Sequence, residues 1–205
     1  MSQGGGSGRV YPKLPEGERF FVVGDLHGRL DLLVRLHRVI DALPCRDGER
    51  TTEIHLGDYV DRGPQSAEVV DHLLARAAVR PTVFLRGNHD ALFEDFLEGR
   101  LELEAWRRIG GFETLLSYGV DVRGLMRAPH DKWVAAARQA VPARHRAFLA
   151  TLRPFFAAHG FFFCHAGIRP GVDLAAQSPQ DLLWVRDLFL GDGRDHGAVV
   201  VHGHT

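Results

Sequence analysis

Apolar positions along this chain recur with two alternating periods. Residues 19–24, RFFVVG, are a short aromatic and β-branched run that stops at glycine, and from 29 to about 42 Leu32, Leu33, Leu36, Val39 and Ile40 return at helical spacing. Residues 44–50 break that helix, 53–57 supply a second strand, and 65–77 a second helix carried by Val69, Val70, Leu73 and Leu74. Residues 81–85 are a third strand, so the unit of strand, loop and helix appears three times. This order predicts an α/β fold with a mainly parallel sheet, whose ligands gather outside the carboxyl ends of the strands. From about 91 to 158 the pattern turns helical throughout, with Trp106, Phe112, Trp133 and Phe148 apolar, which predicts a helical cap or insertion. Residues 161–164 are another buried strand, 181–190 (DLLWVRDLFL) a short amphipathic helix, and 198–201 a last strand.

Composition narrows the partners. The 205 residues suffice for one α/β domain over 19–205, while the glycines and prolines of 1–18 predict a mobile leader without the charged-then-apolar order of a signal peptide. A net charge of -1 and a pI near 6.9 give no global attraction to nucleic acid or to an anionic membrane, and no apolar run is long enough to span a bilayer. Anion recognition must be local. Two lysines, Lys13 and Lys132, leave nearly all positive charge on arginine, whose planar fork suits phosphate, although genome composition explains the bias equally well. Cys45 and Cys164 are too few for a disulfide framework, so a reducing, cytoplasmic setting is expected.

The chemistry sits where strands end. In TTEIHLGDYVDRGPQS, residues 51–66, Asp58 follows a buried strand and Asp61 and Arg62 follow three and four residues later. Asp58 could bridge two cations, Arg62 hold a phosphate fork-to-fork, and Asp61 orient a neighbouring imidazole; taken alone, the stretch also fits a polar turn that caps a helix. Four further blocks stand at other strand ends: GDLHG (24–28), GNHD (87–90), HAG (165–167) and GHT (203–205). Hard oxygen donors mixed with imidazoles suit manganese, iron or zinc rather than calcium.

Five blocks in this order resemble the metallophosphoesterase superfamily, and most closely its phosphoprotein phosphatase branch, bacterial serine/threonine protein phosphatases included. The resemblance covers 20–205 and is silent over about 93–153. It implies a β-sandwich core flanked by helices with a helical insertion. It also implies two divalent metal ions, manganese first with iron or zinc as alternatives: Asp25, His27 and Asp58 on one, Asp58, Asn88, His165 and His204 on the other. A hydroxide bridging the pair would be the nucleophile. By the same resemblance His89, oriented by Asp61, protonates the leaving oxygen, Arg62 grips phosphate, and Arg186 is similar to a second phosphate-facing arginine, with a helix-surface salt bridge as its other reading. The family normally continues beyond GHT with further strands, so the C-terminal strands look truncated. The substrate would be a phosphoprotein or a small phosphoester or nucleotide, with symmetric dinucleoside tetraphosphates the alternative and an inactive metal-binding scaffold a distant one; no oligomeric state is implied. Arg100, Trp106, Arg107, Arg108, Arg123 and Arg127 keep the nucleotide reading open. Cys164 is expected to be an inert buried thiol, His202 to support the site from behind, and His37, His55, His72 and His145 to lie at core edges or on the surface.

Overall fold

The computed structural model describes residues 11–205, so most of the leader expected over 1–18 lies outside the described residues. Two three-stranded sheets form the centre. In the first, β1 (Glu18–Val23), β2 (Arg50–His55) and β3 (Thr82–Phe84) lie side by side in sequence order and all parallel, with Val22 beside Ile54 and Ile54 beside Val83. Their crossovers are α1 (Leu30–Ala42) and α2 (Ser66–Ala77), which touch each other. Side chains alternate along β2: Ile54 points toward the second sheet, while Glu53 and His55 on either side of it point toward the helices.

The second sheet runs β4 (Phe155–Ala158), β5 (Phe161–Cys164), β6 (Val199–Val201), antiparallel across the first pair and parallel across the second. The two sheets meet through Ile54, Leu56, Leu85 and Phe163, with Phe20, Phe156 and Val201 packed on them, and the Phe20 ring stands edge-on to Phe156 and Phe163. This is the expected sandwich. The strand β4 corrects the expectation of helix up to 158. Phe155 and Phe156 hairpin back onto β5 through a turn at His159 and Gly160, whose φ of 51° and 80° no helix would allow, and cross-sheet burial outweighs local pattern there.

Between β3 and β4 run α3 (Asn88–Leu97), α4 (Leu103–Arg107), α5 (Gly111–Ser117), α6 (Val122–Leu125), α7 (His130–Ala140) and α8 (Ala143–Thr151). They bury Phe93, Phe96, Trp106, Leu115, Trp133 and Phe148 in one core with Tyr59, Val69, Val70 and Leu73. After β5, the expected single helix over 181–190 is two: α9 (Pro179–Trp184), started by a Ser178 cap and Pro179, and α10 (Asp187–Leu190). Val185 is extended between them and packs with Phe162, Leu182 and Phe189, which breaks the helix and leaves Arg186 at a corner. Three histidines also depart from expectation, since His37, His55 and His145 are all buried. His145 is held between Asp71, 2.7 Å away, and the Tyr118 hydroxyl, 3.0 Å away.

Candidate active site

Each of the five sequence blocks follows a strand, and the structure gathers them at one edge of the sandwich. The loops that carry them are strained. His27, Asp58, Asp61, Arg62 and His204 have φ of 42°, 55°, 71°, 66° and 66°, a left-handed conformation that costs a side-chain-bearing residue about 1–3 kcal/mol and persists where surrounding structure enforces it. Asp90 supplies much of that enforcement. Fully buried at the first turn of α3, its carboxylate accepts from the backbone N–H groups of Asp58, Tyr59 and Gly87 at 2.8–2.9 Å, so it splints two of the loops together. Gly87 lies so close to Asp58 that a Cβ there would stand 2.1 Å from Asp58 Oδ1.

Asp58 is at the centre. Its Oδ1 accepts from the His89 backbone N–H at 2.9 Å, and its Oδ2 lies 3.5 Å from His27 Nε2 on one side and 3.5 Å from His165 Nε2 on the other. Both imidazoles have their far nitrogen engaged: His27 Nδ1 donates to the Val60 carbonyl and His165 Nδ1 to the Leu56 carbonyl, each at 2.9 Å. The two Nε2 atoms therefore present lone pairs to a carboxylate oxygen. His165 Nε2 also lies 2.8 Å from Asn88 Oδ1 and 3.1 Å from His204 Nδ1, while His27 Nε2 is buried without any hydrogen-bond partner. Acceptors facing acceptors about 3 Å apart are the edges of a coordination polyhedron whose donors stand roughly 2.1 Å from an ion.

Electrostatics agree. Burial, then the charges of Asp25 and Asp61, push the Asp58 carboxyl up to about 8, and burial lowers His165 to about 4 and also lowers His27. Neutral imidazoles around a carboxylate that resists ionisation are stabilised by cations. The ligand atoms of His27, Asp58 and His89 lie within 4.8 Å of one another, as do those of Asp58, His165 and His204. Asp25, expected with the first group, belongs to neither threesome; it lines the same edge, its Oδ1 accepting from the His204 backbone N–H at 3.1 Å.

A second chain of contacts starts at His89. Its Nδ1 donates to Asp61 Oδ2 at 2.7 Å, and its Nε2 accepts from Arg62 at 3.1 Å. Asp61, wholly buried, also accepts from Trp106 Nε1 at 2.9 Å and Thr114 Oγ1 at 2.7 Å. Asp90 and Thr114 were not singled out as site residues by sequence, and Trp106 only as a residue that kept a nucleotide reading open. Asp90 had a signal, as an acidic residue three positions after the helix N-cap Gly87, where it can accept from the N-cap backbone N–H; the contacts of Trp106 and Thr114 with Asp61 had none, spanning 45 and 53 residues.

The outlying candidates divide. Arg186 is exposed, its guanidinium 3.4 Å from the His204 carbonyl and with no ion-pair partner among the described residues; the exposed Trp184 ring stands edge-on to His204. Arg86, which precedes the GNHD block, is tied to Glu94 and the Leu149 carbonyl. His202 turns away from the site, its ring against Phe189, because alternation along β6 continues to its end. Cys164 donates to the Gly167 carbonyl, and burial raises its thiol to about 12.

Comparison with known proteins agrees with this geometry. A family model of calcineurin-like phosphoesterases matches residues 18–205. Over 72 residues the chain is 40% identical to the serine/threonine-protein phosphatase SIT4 of Candida albicans, covering 34% of this chain and 23% of that protein. A provisionally assigned serine/threonine-protein phosphatase of Schizosaccharomyces pombe is 39% identical over 72 residues, covering 34% and 22%. The chain thus spans under a quarter of the length of these curated fungal relatives. Among solved structures, a provisionally assigned diadenosine tetraphosphatase is similar in fold, with a TM-score of 0.58, 24% identity, and coverage of 95% of this chain and 78% of the other.

Proposed function

The chain belongs to the calcineurin-like phosphoesterase family, and from that premise we propose that it is a dinuclear-metal-dependent phosphoester hydrolase acting on serine/threonine phosphoproteins. The observation that carries the metal reading is Asp58 Oδ2 between the two histidine lone pairs, 3.5 Å from each. In this reading Asp25, His27 and Asp58 hold one ion, and Asp58, Asn88, His165 and His204 the other. The donor set suits manganese, iron or zinc, with manganese the first to test. When bound, the ions supply positive charge to phosphoryl oxygens and lower the pKa of water.

The remaining work belongs to side chains. Arg62 binds the non-bridging phosphate oxygens by swinging its guanidinium away from His89 Nε2, and Arg186 approaches from the far rim. His89 then carries a proton at Nε2 for the leaving oxygen. Asp61, fixed by Trp106 and Thr114, holds the other ring nitrogen and stabilises the cationic ring. The helices between β3 and β4 wall the site, in one catalytic unit over 19–205. No helix among the described residues is long and apolar enough to cross a membrane, and two free cysteines support a cytoplasmic setting.

The phosphoprotein reading rests on the matched stretch of the serine/threonine phosphatases. It is also supported by what the helical region withholds: Trp106 and Trp133 are buried, so neither is free to stack on a base. One observation keeps the dinucleotide reading: the exposed Trp184 beside Arg186 offers a base a platform. Metal-depleted protein reconstituted with manganese should hydrolyse a phosphoserine peptide with kcat/KM at least about 10-fold above that for diadenosine tetraphosphate. The reverse order, lost in Trp184→Ala, would establish the nucleotide as substrate, and no turnover of either with two ions bound would make the chain a scaffold.

A further inference from the structure

Behind β2, on the side away from the second sheet, lies a polar cluster that the phosphoesterase chemistry does not use. His37 of α1 and Glu53 and His55 of β2 are 3%, 0% and 0% exposed. His37 Nε2 lies 3.8 Å and His55 Nε2 4.0 Å from Glu53 Oε2, and the ligand atoms of all three fall within 4.8 Å of one another. His37 Nε2 and both nitrogens of His55 have no hydrogen-bond partner. Three unpaired imidazole nitrogens around one carboxylate are a departure in an interior where buried polar atoms are almost always paired.

An internal ion pair does not account for them. Burial, with the nearby Arg76 charge, lowers His37 to about 4 and His55 to about 3, so both rings are neutral at physiological pH and cannot offset Glu53. Arg76 already does that, with contacts to both Glu53 oxygens, and it is in turn tied to Asp41. What remains is unpaired ring nitrogens, and neutral His55 carries one lone pair and one N–H with no partner for either. The orientation of His37 is fixed as well: His72 of α2 lies against it, the rings 5.0 Å apart, with His37 Nδ1 2.8 Å from His72 Nε2. If His37 donates there, its Nε2 is left as a bare acceptor, the arrangement by which an outer partner sets a metal-binding imidazole.

We propose that His37, Glu53 and His55 form a further divalent-cation site, of the two-histidine, one-carboxylate class that takes zinc, with His72 as the outer partner of His37. Imidazole nitrogen and carboxylate oxygen are zinc donors, and a tetrahedral ion places them about 3.3–3.5 Å apart, a contraction of roughly half an ångström from the two histidine–glutamate separations; the two imidazoles, within 4.8 Å of each other, must close by up to about 1.5 Å. The ion clips α1 to the strand that delivers Asp58, and the clip stands whether or not the edge above hydrolyses phosphoesters.

The test uses the full chain carrying Asp58→Asn and His165→Ala, which weakens zinc binding at the catalytic edge. After equilibration with zinc and gel filtration, elemental analysis should find one zinc per chain, and zinc should raise the melting temperature. Adding His37→Gln or His55→Gln should abolish both effects. Less than about a tenth of an equivalent in the folded parent, or an unchanged equivalent after either glutamine substitution, overturns the proposal. Should the glutamine variants fail to fold, cobalt decides in the parent. An intense tetrahedral visible band without a sulfur charge-transfer band supports the site, whereas a weak octahedral spectrum or thiolate ligation from Cys45 overturns it.

Discussion

At the scale of single residues the candidate site is organised around two carboxylates with opposite surroundings. Asp58 faces imidazole lone pairs, whereas the Asp61 carboxylate accepts from His89, Trp106 and Thr114. Asp61 therefore has one task left, orienting His89. Trp106→Phe keeps the ring stacked on Phe93 but removes a donor to Asp61 Oδ2, so it should leave metal content and KM unchanged. Turnover should fall about 10-fold for an alkyl phosphate, where the leaving oxygen needs a proton, and much less for p-nitrophenyl phosphate. Equal losses on both esters would detach Trp106 from proton transfer. The residues of the proposed site stood out in the sequence because their types and spacing are local: Asp58, Asp61 and Arg62 stand in one loop, and Asn88 and His89 in the next. Trp106 did not, because a hydrogen bond reaching across 45 residues leaves no mark in either neighbourhood.

At the scale of elements, strand ends set the site and loop packing holds it. Sequence treats the glycines that open four of the five blocks alike, but their surroundings differ. Gly87 lies against Asp58, where a Cβ would fall 2.1 Å from Oδ1 and 2.2 Å from the backbone nitrogen; Gly24 has nothing within 4 Å. Neither the Asp58 backbone nor its carboxylate can give way, since Asp90 pins one and the His89 N–H the other. Gly87→Ala should thus cost about 2–4 kcal/mol in thermal or denaturant unfolding and abolish tight metal binding, while Gly24→Ala should change stability by less than about 0.5 kcal/mol and keep the metals. A well-folded, metal-replete Gly87→Ala would refute the splint. The same distinction explains which elements were legible. Periodicity announced α1, α2 and the three parallel strands, whereas β4 and the break at Val185 are fixed by contacts with β5 and the Phe162 cluster, which no local period encodes.

For the whole molecule, a net charge of -1 conceals one edge where Asp25, Asp58, Asp61 and buried Asp90 converge with few cations to offset them. The concentration was readable from the order of the blocks along a parallel sheet, but its effect on folding depends on burial. Without metal, Asp58 holds its proton up to about pH 8 in the folded state and releases it near 4 when unfolded, and burial shifts Asp90 in the same direction. The folded chain then binds more protons than the unfolded one between those values, so stability falls as pH rises. Six histidines, His27, His37, His55, His72, His165 and His204, act oppositely, because their lowered values make the unfolded chain the better proton binder, an effect that fades out about one unit above 6.5. The carboxyl effect therefore dominates above about pH 7.5. Metal-depleted protein should lose about 1 kcal/mol of unfolding free energy between pH 7.5 and 8.5. With excess manganese the slope should reverse, since the ions displace those protons and bind more tightly as pH rises. Denaturant titrations at the two pH values, with chelator and with manganese, measure both slopes; a metal-free stability that is flat or rising over this window would show that Asp58 is ionised without a cation, and would remove the electrostatic reason for binding one there.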